Sequence, residues 1–152
     1  MNIVASIEAR YRSTRLPGKI LADIEGKPAL ARMLERLRAS KLIDDVVLAT
    51  TNSKSDDATE RWANESSLAI YRGSEEDVLS RVVNAHKMMK SDLVVELCGD
   101  CPLVDPGIID LAIKKFLDGG SDVVTTIREP SYPQGMDAQV FRFEHLREVD
   151  SF

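Results

Sequence analysis

The sequence predicts an α/β domain built on a mainly parallel sheet, and three observations predict it. Short runs of apolar β-formers alternate along the chain with segments whose apolar residues recur at helical spacing. The chain has 152 residues, enough for one core of ordinary size. Its residues are 43% apolar and 30% charged, which excludes disordered, collagen-like and disulfide-stapled classes. With no repeat, low-complexity tract or linker, the reading is a single domain over residues 1–152.

The elements follow in order. Residues 2–8 (NIVASIE) open as a short strand, followed by a polar, basic loop from Ala9 to Lys19. From about Pro28 to Ser40, Leu30, Met33, Leu34 and Leu37 keep helical spacing, and Pro28 suits a first helical turn. Asp45–Thr50 (DVVLAT) reads as a buried strand, 55–66 as a helix capped by Ser55 or Asp56, and Leu68–Tyr71 as a third strand. The next helix, from about Glu75 to Met89, puts Val78, Leu79, Val82 and Val83 on one face. Asp92–Leu97 is a strand ending in the loop CGDCPLVDP, after which Pro106 or Gly107 opens a helix that stops at Gly119-Gly120. Asp122–Ile127 reads as a further buried strand, and the alternation over Met136–Phe143 as an edge or antiparallel one. A last helix starts at Glu144, where Leu146, Val149 and Phe152 keep helical spacing, so the domain is expected to be incomplete at its carboxyl side.

Twenty Lys and Arg against twenty-five Asp and Glu leave a net charge of −5, which argues against a general nucleic-acid or anionic-membrane surface. No apolar run approaches the roughly 18 residues of a membrane span. The opening MNIVASIEAR reaches Glu8 and Arg10 too soon for a signal-peptide core. Two cysteines cannot form a disulfide framework and suit a reducing compartment, so the expected location is cytoplasmic.

Charge concentrates locally. The segment EARYRSTRLPGK (residues 8–19) sets Arg10, Arg12, Arg15 and Lys19 against Glu8 alone, a net +3 against −8 for the rest of the chain. It follows the first strand, where open α/β sheets bind ligands, and its cations, hydroxyls and backbone N–H groups can cradle a polyphosphate. The Walker pattern fails, because Ser13 stands where the first Gly belongs and Ile20 follows Lys19; GxGxxG is absent too. From the residues alone, a phosphate-binding loop and a solvated basic turn both remain open.

The run IEARYRSTRLPGKILADIEGKP resembles the amino-terminal signature of the cytidylyltransferases that make CMP-activated acid sugars, the group of CMP-Kdo and CMP-sialic acid synthetases. Ala9, Arg10, Ser13, Arg15, Leu16, Pro17, Gly18, Lys19 and Gly26-Lys27-Pro28 fall in register with it. RGSEEDVLSR, GDCPLVDP and YPQGMDAQVF extend the resemblance over the chain and look most like the spore coat polysaccharide biosynthesis protein F branch. The resemblance implies a Rossmann-like, three-layer α/β/α nucleotide-diphospho-sugar transferase fold. It also implies nucleotide contacts from Ala9, Arg10, Ser13, Arg15 and Lys19, and contacts to base, ribose or sugar from Arg72, Gly73, Ser74 and Asp77.

Asp100 ends a strand at the same rim, where a hard oxygen can hold Mg²⁺ between phosphates; it can equally cap the turn before Pro102. The resemblance assigns Asp100 to the metal. Cys98 and Cys101 stand where the Kdo branch carries Gln and Glu. Their CxxC spacing is that of a redox pair or half a zinc site. Pro102 and Pro106 push the next helix downstream, Asp100 opposes thiolate formation, and His86 and His145 lack metal spacing, so packing or pocket-lining cysteines are expected. Ser74 can be simply a helix cap whose following Glu75, Glu76 and Asp77 favour the dipole. The loop EPSYPQGMD, shaped by Pro130, Pro133 and Gly135, offers Tyr132, Gln134 and Asp137 to a sugar or is a plain turn. Trp62 reads as a packing residue.

The expected partners are CTP and an acid sugar, the expected cofactor Mg²⁺, and a homodimer is possible on the resemblance. The anomeric hydroxyl would attack the α-phosphorus, pyrophosphate would leave, and Arg15, Lys19 and Asp100 would carry the charge. Two rival readings are a nucleotide-binding domain without turnover and a glycosyltransferase. Against the latter, Cys101-Pro102 follows Asp100 in place of a second Asp.

Overall fold

A computed structural model of the chain describes residues 1–128 and 132–150. The elements run β1 (Ile3–Glu8), β2 (Asp23–Ile24), β3 (Lys27–Pro28), α1 (Ala29–Arg38), β4 (Asp45–Thr51), α2 (Asp57–Glu65), β5 (Ala69–Gly73), α3 (Val78–Met89), β6 (Leu93–Cys98), α4 (Pro106–Leu117), β7 (Val123–Thr125), β8 (Gln139–Arg142) and α5 (Phe143–Val149). The main sheet has the order β5-β4-β1-β6-β8-β7. β1 lies parallel to both β4 and β6, β4 is parallel to β5, and β8 runs antiparallel to β6 and β7.

β1 is apolar at nearly every position because helices cover both of its faces. Ile3, Ala5 and Ile7 belong to the larger core with α1 (Leu30, Met33, Leu37) and α4 (Ile109, Ile113), and Trp62 of α2 packs against it. Val4 turns to the other side, with Val47 and Ala49 of β4 and Val82 and Ala85 of α3; Leu146 of α5 packs against this smaller core. The result is the three-layer α/β/α arrangement expected from the sequence. From β1 the chain winds outward through β4 and β5, then crosses back to lay β6 on the other side of β1. The strand order therefore reverses between β1 and β6, and a crevice opens outside their carboxyl ends.

Three local expectations are corrected. The strand over 122–127 shrinks to Val123–Thr125 at the outer edge, where Val123 is 48% exposed. β8 is antiparallel, one of the two alternatives expected, but it is interior and not an edge, with Val140 and Phe141 buried, because it pairs on both sides. α3 starts at Val78, since Asp77 and not Ser74 supplies the cap: Asp77 Oδ1 accepts the Ser80 N–H at 2.9 Å. The β2–β3 hairpin was not anticipated; its turn holds Glu25 and Gly26 at positive φ, with Asp23 Oδ1 accepting the Gly26 N–H at 3.1 Å. At the opening of α4, Asp105 Oδ1 accepts the N–H groups of Gly107 and Ile108, with Pro106 at the first position as expected. Pro130 and Phe152 lie outside the described residues.

His86, in the last turn of α3, is fully buried, its Nδ1 sharing a 2.8 Å hydrogen bond with Ser91 Oγ. Burial pushes its pKa down to about 4 from 6.5. The folded state thus refuses a proton that the unfolded chain takes up below pH 6.5, and stability falls as pH drops from 6.5 toward 4. Between pH 6.5 and 4 the urea midpoint of the wild type is expected to lose ground steadily relative to that of His86→Leu, the difference between the two isolating the His86 contribution.

Candidate active site

β1 delivers its last residue, Glu8, to the rim of the crevice, and the basic loop begins there. The Ala9 N–H donates to the carbonyl of Ala49 at 3.3 Å, which keeps the first loop residue against β4. The Tyr11 N–H donates to Asp56 Oδ1 at 2.8 Å. Asp56 is 1% exposed and also accepts hydrogen bonds from the hydroxyls of Thr50, Thr51 and Thr59. One buried carboxylate therefore fastens the basic loop to the end of β4 and the start of α2. The loop closes where the Gly18 N–H donates to the Tyr11 carbonyl at 2.9 Å. Gly18 has φ +74°, and a Cβ there would come within 3.0 Å of the Tyr11 ring, so glycine is required twice over. Lys19 then starts a single 3-10 turn whose Ile20 is buried.

The turn after β6 is brought to the same place. The Gly99 N–H donates to the Glu8 carbonyl at 2.8 Å, and a Cβ on Gly99 would lie 2.7 Å from Ala9 Cβ. This close approach sets Asp100 against Lys19, and their side chains form an ion pair. Lys19, and more weakly Arg15, hold the Asp100 carboxyl below its ordinary range.

Together the two loops and the start of α3 border an open cavity of about 450 Å³. Ala9, Arg10, Arg12, Ser13, Arg15, Lys19 and Asp100, all singled out in the sequence, line it, and Cys98 lies among them. Arg10 reaches across toward Glu75 at 3.7 Å. Burial raises the Cys98 thiol and pushes Cys101 up to about 11, with Asp100 adding to both. Protonated thiols suit neither exchange chemistry nor zinc, and among the described residues no group of three or more His, Cys, Asp or Glu is placed to hold a metal. A single ionised Asp beside a basic loop still fits Mg²⁺, which commonly takes one or two protein carboxylates and fills its shell with phosphates and water.

Other sequence candidates stand elsewhere. Arg72 is turned away from the cavity: its Nε donates to the Thr51 carbonyl at 2.9 Å, one Nη donates to the Ser53 carbonyl at 2.7 Å, and the guanidinium pairs with Asp57 and Glu60. Gly73 is packed on Arg81, whose Cγ would lie 3.0 Å from an added Cβ. Ser74 Oγ accepts the N–H groups of Glu76 and Asp77, and its carbonyl accepts from Arg81 Nη1 at 2.6 Å. Tyr132 borders a separate hollow between α4 and β7, with Lys115 and Arg128. Gln134 is exposed, whereas Asp137 lies near enough to Cys98 and Cys101 to raise both thiols, at the Asp100 end of the rim.

Three residues of the site were missed. Arg81 lines the cavity although only 4% exposed, and its signal was legible: a cation on the apolar stripe of a helix. Glu8 lines it as well, a carboxylate ending a strand whose other residues, Ser6 apart, are apolar. Asp56 gave no sign beyond its place before a helix. Burial, and next the neighbouring Glu96 carboxyl, push Glu8 up to about 8, while Arg81 draws it partly back.

Residues 4–149 match the model of the cytidylyltransferase family, and the chain belongs to that family. Among its relatives is the spore coat polysaccharide biosynthesis protein SpsF of Bacillus subtilis, 35% identical over 133 residues that cover 85% of this chain and 55% of that protein. The 3-deoxy-manno-octulosonate cytidylyltransferase of Pelobacter propionicus is 34% identical over 128 residues, covering 84% of this chain and 49% of its own length. The structure of a cytidylyltransferase from Leptospira borgpetersenii superposes with a TM-score of 0.93 at 38% identity, covering all of this chain and 65% of that one. The chain thus spans about half the length of these two curated relatives.

Two outcomes test this construction. Glu8 keeps a proton in the folded state that the unfolded chain releases above pH 4.5, so its contribution to stability falls as pH rises from 4.5 through 8. Glu8→Gln is expected to remove that fall, read from urea midpoints between pH 5 and 9. Asp56→Ala leaves the Tyr11 N–H and buried hydroxyls without their acceptor and is expected to cost about 3 kcal/mol in urea unfolding.

Proposed function

We propose that this chain forms the nucleotide-binding and catalytic part of an enzyme that transfers CMP from CTP to the anomeric hydroxyl of an acid sugar, in surface polysaccharide biosynthesis in the cytoplasm. The observation that carries the reading is the meeting of the +3 loop and Asp100 around one cavity at the point where the strand order reverses, in a chain of the cytidylyltransferase family.

The chain's own residues then have distinct tasks. Arg10, Ser13, Arg15 and Lys19 bind the triphosphate, with the loop held in shape by Asp56 before the ligand arrives. The sugar hydroxyl oxygen forms a new bond to the α-phosphorus while the bond from that phosphorus to pyrophosphate breaks, and the hydroxyl proton passes to solvent water. Arg15 and Lys19 stabilise the negative charge that accumulates on the departing pyrophosphate. Asp100 would hold Mg²⁺, which when bound neutralises phosphate charge and polarises the phosphoryl oxygens. The Lys19 ammonium keeps that carboxylate ionised and aimed at the loop. Asp137, at the same rim, would meet the sugar.

The rival reading is a nucleotide-binding domain without turnover. Calorimetry with CTP, UTP, ATP and GTP, together with pyrophosphate release from CTP and a panel of acid sugars, separates the two. On the first reading CTP binds selectively, Arg15→Ala weakens it at least about tenfold, and Asp100→Asn lowers turnover by about two orders of magnitude. Selective CTP binding with no pyrophosphate released for any acid sugar would establish the second.

A further inference from the structure

Among the described residues, Ser6 Oγ, Glu8 Oε1, Arg81 Nε and His86 Nε2 are buried side-chain atoms with no hydrogen-bond partner. Folded proteins leave few such atoms, and each calls for an explanation. The first three gather in one place. Ser6 and Glu8, two apart on β1, project to the same face of the sheet as Val4, the face covered by α3, and Arg81 stands on α3. Ser6 is fully buried and Arg81 is 4% exposed, so bulk water does not serve them. Glu8 and Arg81 both line the cavity that the basic loop borders.

Their chemistry restricts what can pair with them. A carboxyl oxygen needs an N–H or O–H donor, which a triphosphate at neutral pH lacks. Arg81 Nε can only donate, so its partner needs an acceptor. Val78, at the start of α3, adds an apolar surface to the same wall. A flat ring with an exocyclic amine next to ring acceptors satisfies all three. Cytosine presents a donor at its 4-amino group and acceptors at N3 and O2. Uracil presents O4 where the amine would be, acceptor against acceptor.

Resting on the cytidylyltransferase reading, we propose that Glu8 and Arg81 select the base, Glu8 Oε1 accepting from the 4-amino group of cytosine and Arg81 Nε donating to the ring acceptors. Burial and a side-chain hydrogen bond with Glu96 engage the carboxyl proton between the two acids, so Glu8 Oε1 is left as an acceptor only and no full negative charge is set against the triphosphate. Glu96 reaches this face through its pairing with Ser6 in the β1–β6 register.

The test is calorimetric titration with CTP, UTP and the triphosphate of pyrimidin-2-one riboside, which lacks the 4-amino group. The wild-type chain is expected to bind CTP at least about 30-fold more tightly than either of the others. Glu8→Gln, whose amide can turn either a carbonyl or an NH₂ toward the ring, is expected to bring CTP and UTP within about threefold, chiefly by improving UTP. Should this variant fail to fold by circular dichroism, the comparison of CTP with the 4-deamino analogue on the wild-type chain decides the matter. Equal binding of those two, or an undiminished CTP preference in folded Glu8→Gln, overturns base selection by Glu8 and leaves the cytidylyltransferase reading standing. Absence of binding by any nucleotide to the wild type overturns both.

Discussion

The hydrogen bond from Gly99 to the Glu8 carbonyl, 2.8 Å long, joins the ends of the two strands between which the sheet changes direction. Everything at the site depends on that contact. The first residues after β1 and β6 are held at a separation that only glycine permits, since a Cβ at residue 99 would lie within 2.9 Å of the Glu8 carbonyl oxygen. Asp100 consequently meets Lys19 across a sequence separation of 81 residues, and a cation from one loop sits beside a carboxylate from the other. A parallel arrangement of β1 and β6 is the condition for this, because only then do both carboxyl ends open onto one crevice.

The basic loop would otherwise repel itself, with four cations in ten residues. Its conformation is maintained from outside by Asp56, whose buried carboxylate is satisfied by one backbone N–H and three hydroxyls. Multiple donors are what make a buried carboxylate tolerable. The arrangement also leaves Arg10, Arg12 and Arg15 without structural duties in the core, so their charges face the cavity and remain available to a ligand. Arg72 is the contrasting case: its donors are committed to two backbone carbonyls and two carboxylates, and it serves to lock the end of β5 onto the start of α2.

On the α3 side of the cavity the logic is reversed. Glu8, Glu96 and Arg81 form a buried polar patch beneath a helix that is otherwise packed on Val4, Val47 and Ala49. Such a patch weakens the core, because desolvation penalises the Glu8 carboxylate and the Arg81 guanidinium alike. A site that binds a polar ligand accepts this loss of stability in exchange for groups that are already dry and oriented when the ligand enters.

By itself the sequence determined the order and type of the main elements, since helical and strand periodicities are local properties written in consecutive residues. It also determined the chemistry of the phosphate side: Arg10, Ser13, Arg15 and Lys19 share one short loop, and Asp100 ends a strand, so no long-range information was needed to group them by type. What it could not contain in any local window was strand order. The reversal at β1, the interior position of β8 and the exposure of β7 follow from pairings between segments far apart in the chain. The same holds for side chains near the site. Arg72 and Arg81 are the two ends of RGSEEDVLSR, yet one is drawn outward by Asp57 and Glu60 while the other is carried by α3 over Glu8. The tertiary structure alone decided which of the two arginines faces the cavity, because that choice is made by partners supplied from other strands and helices.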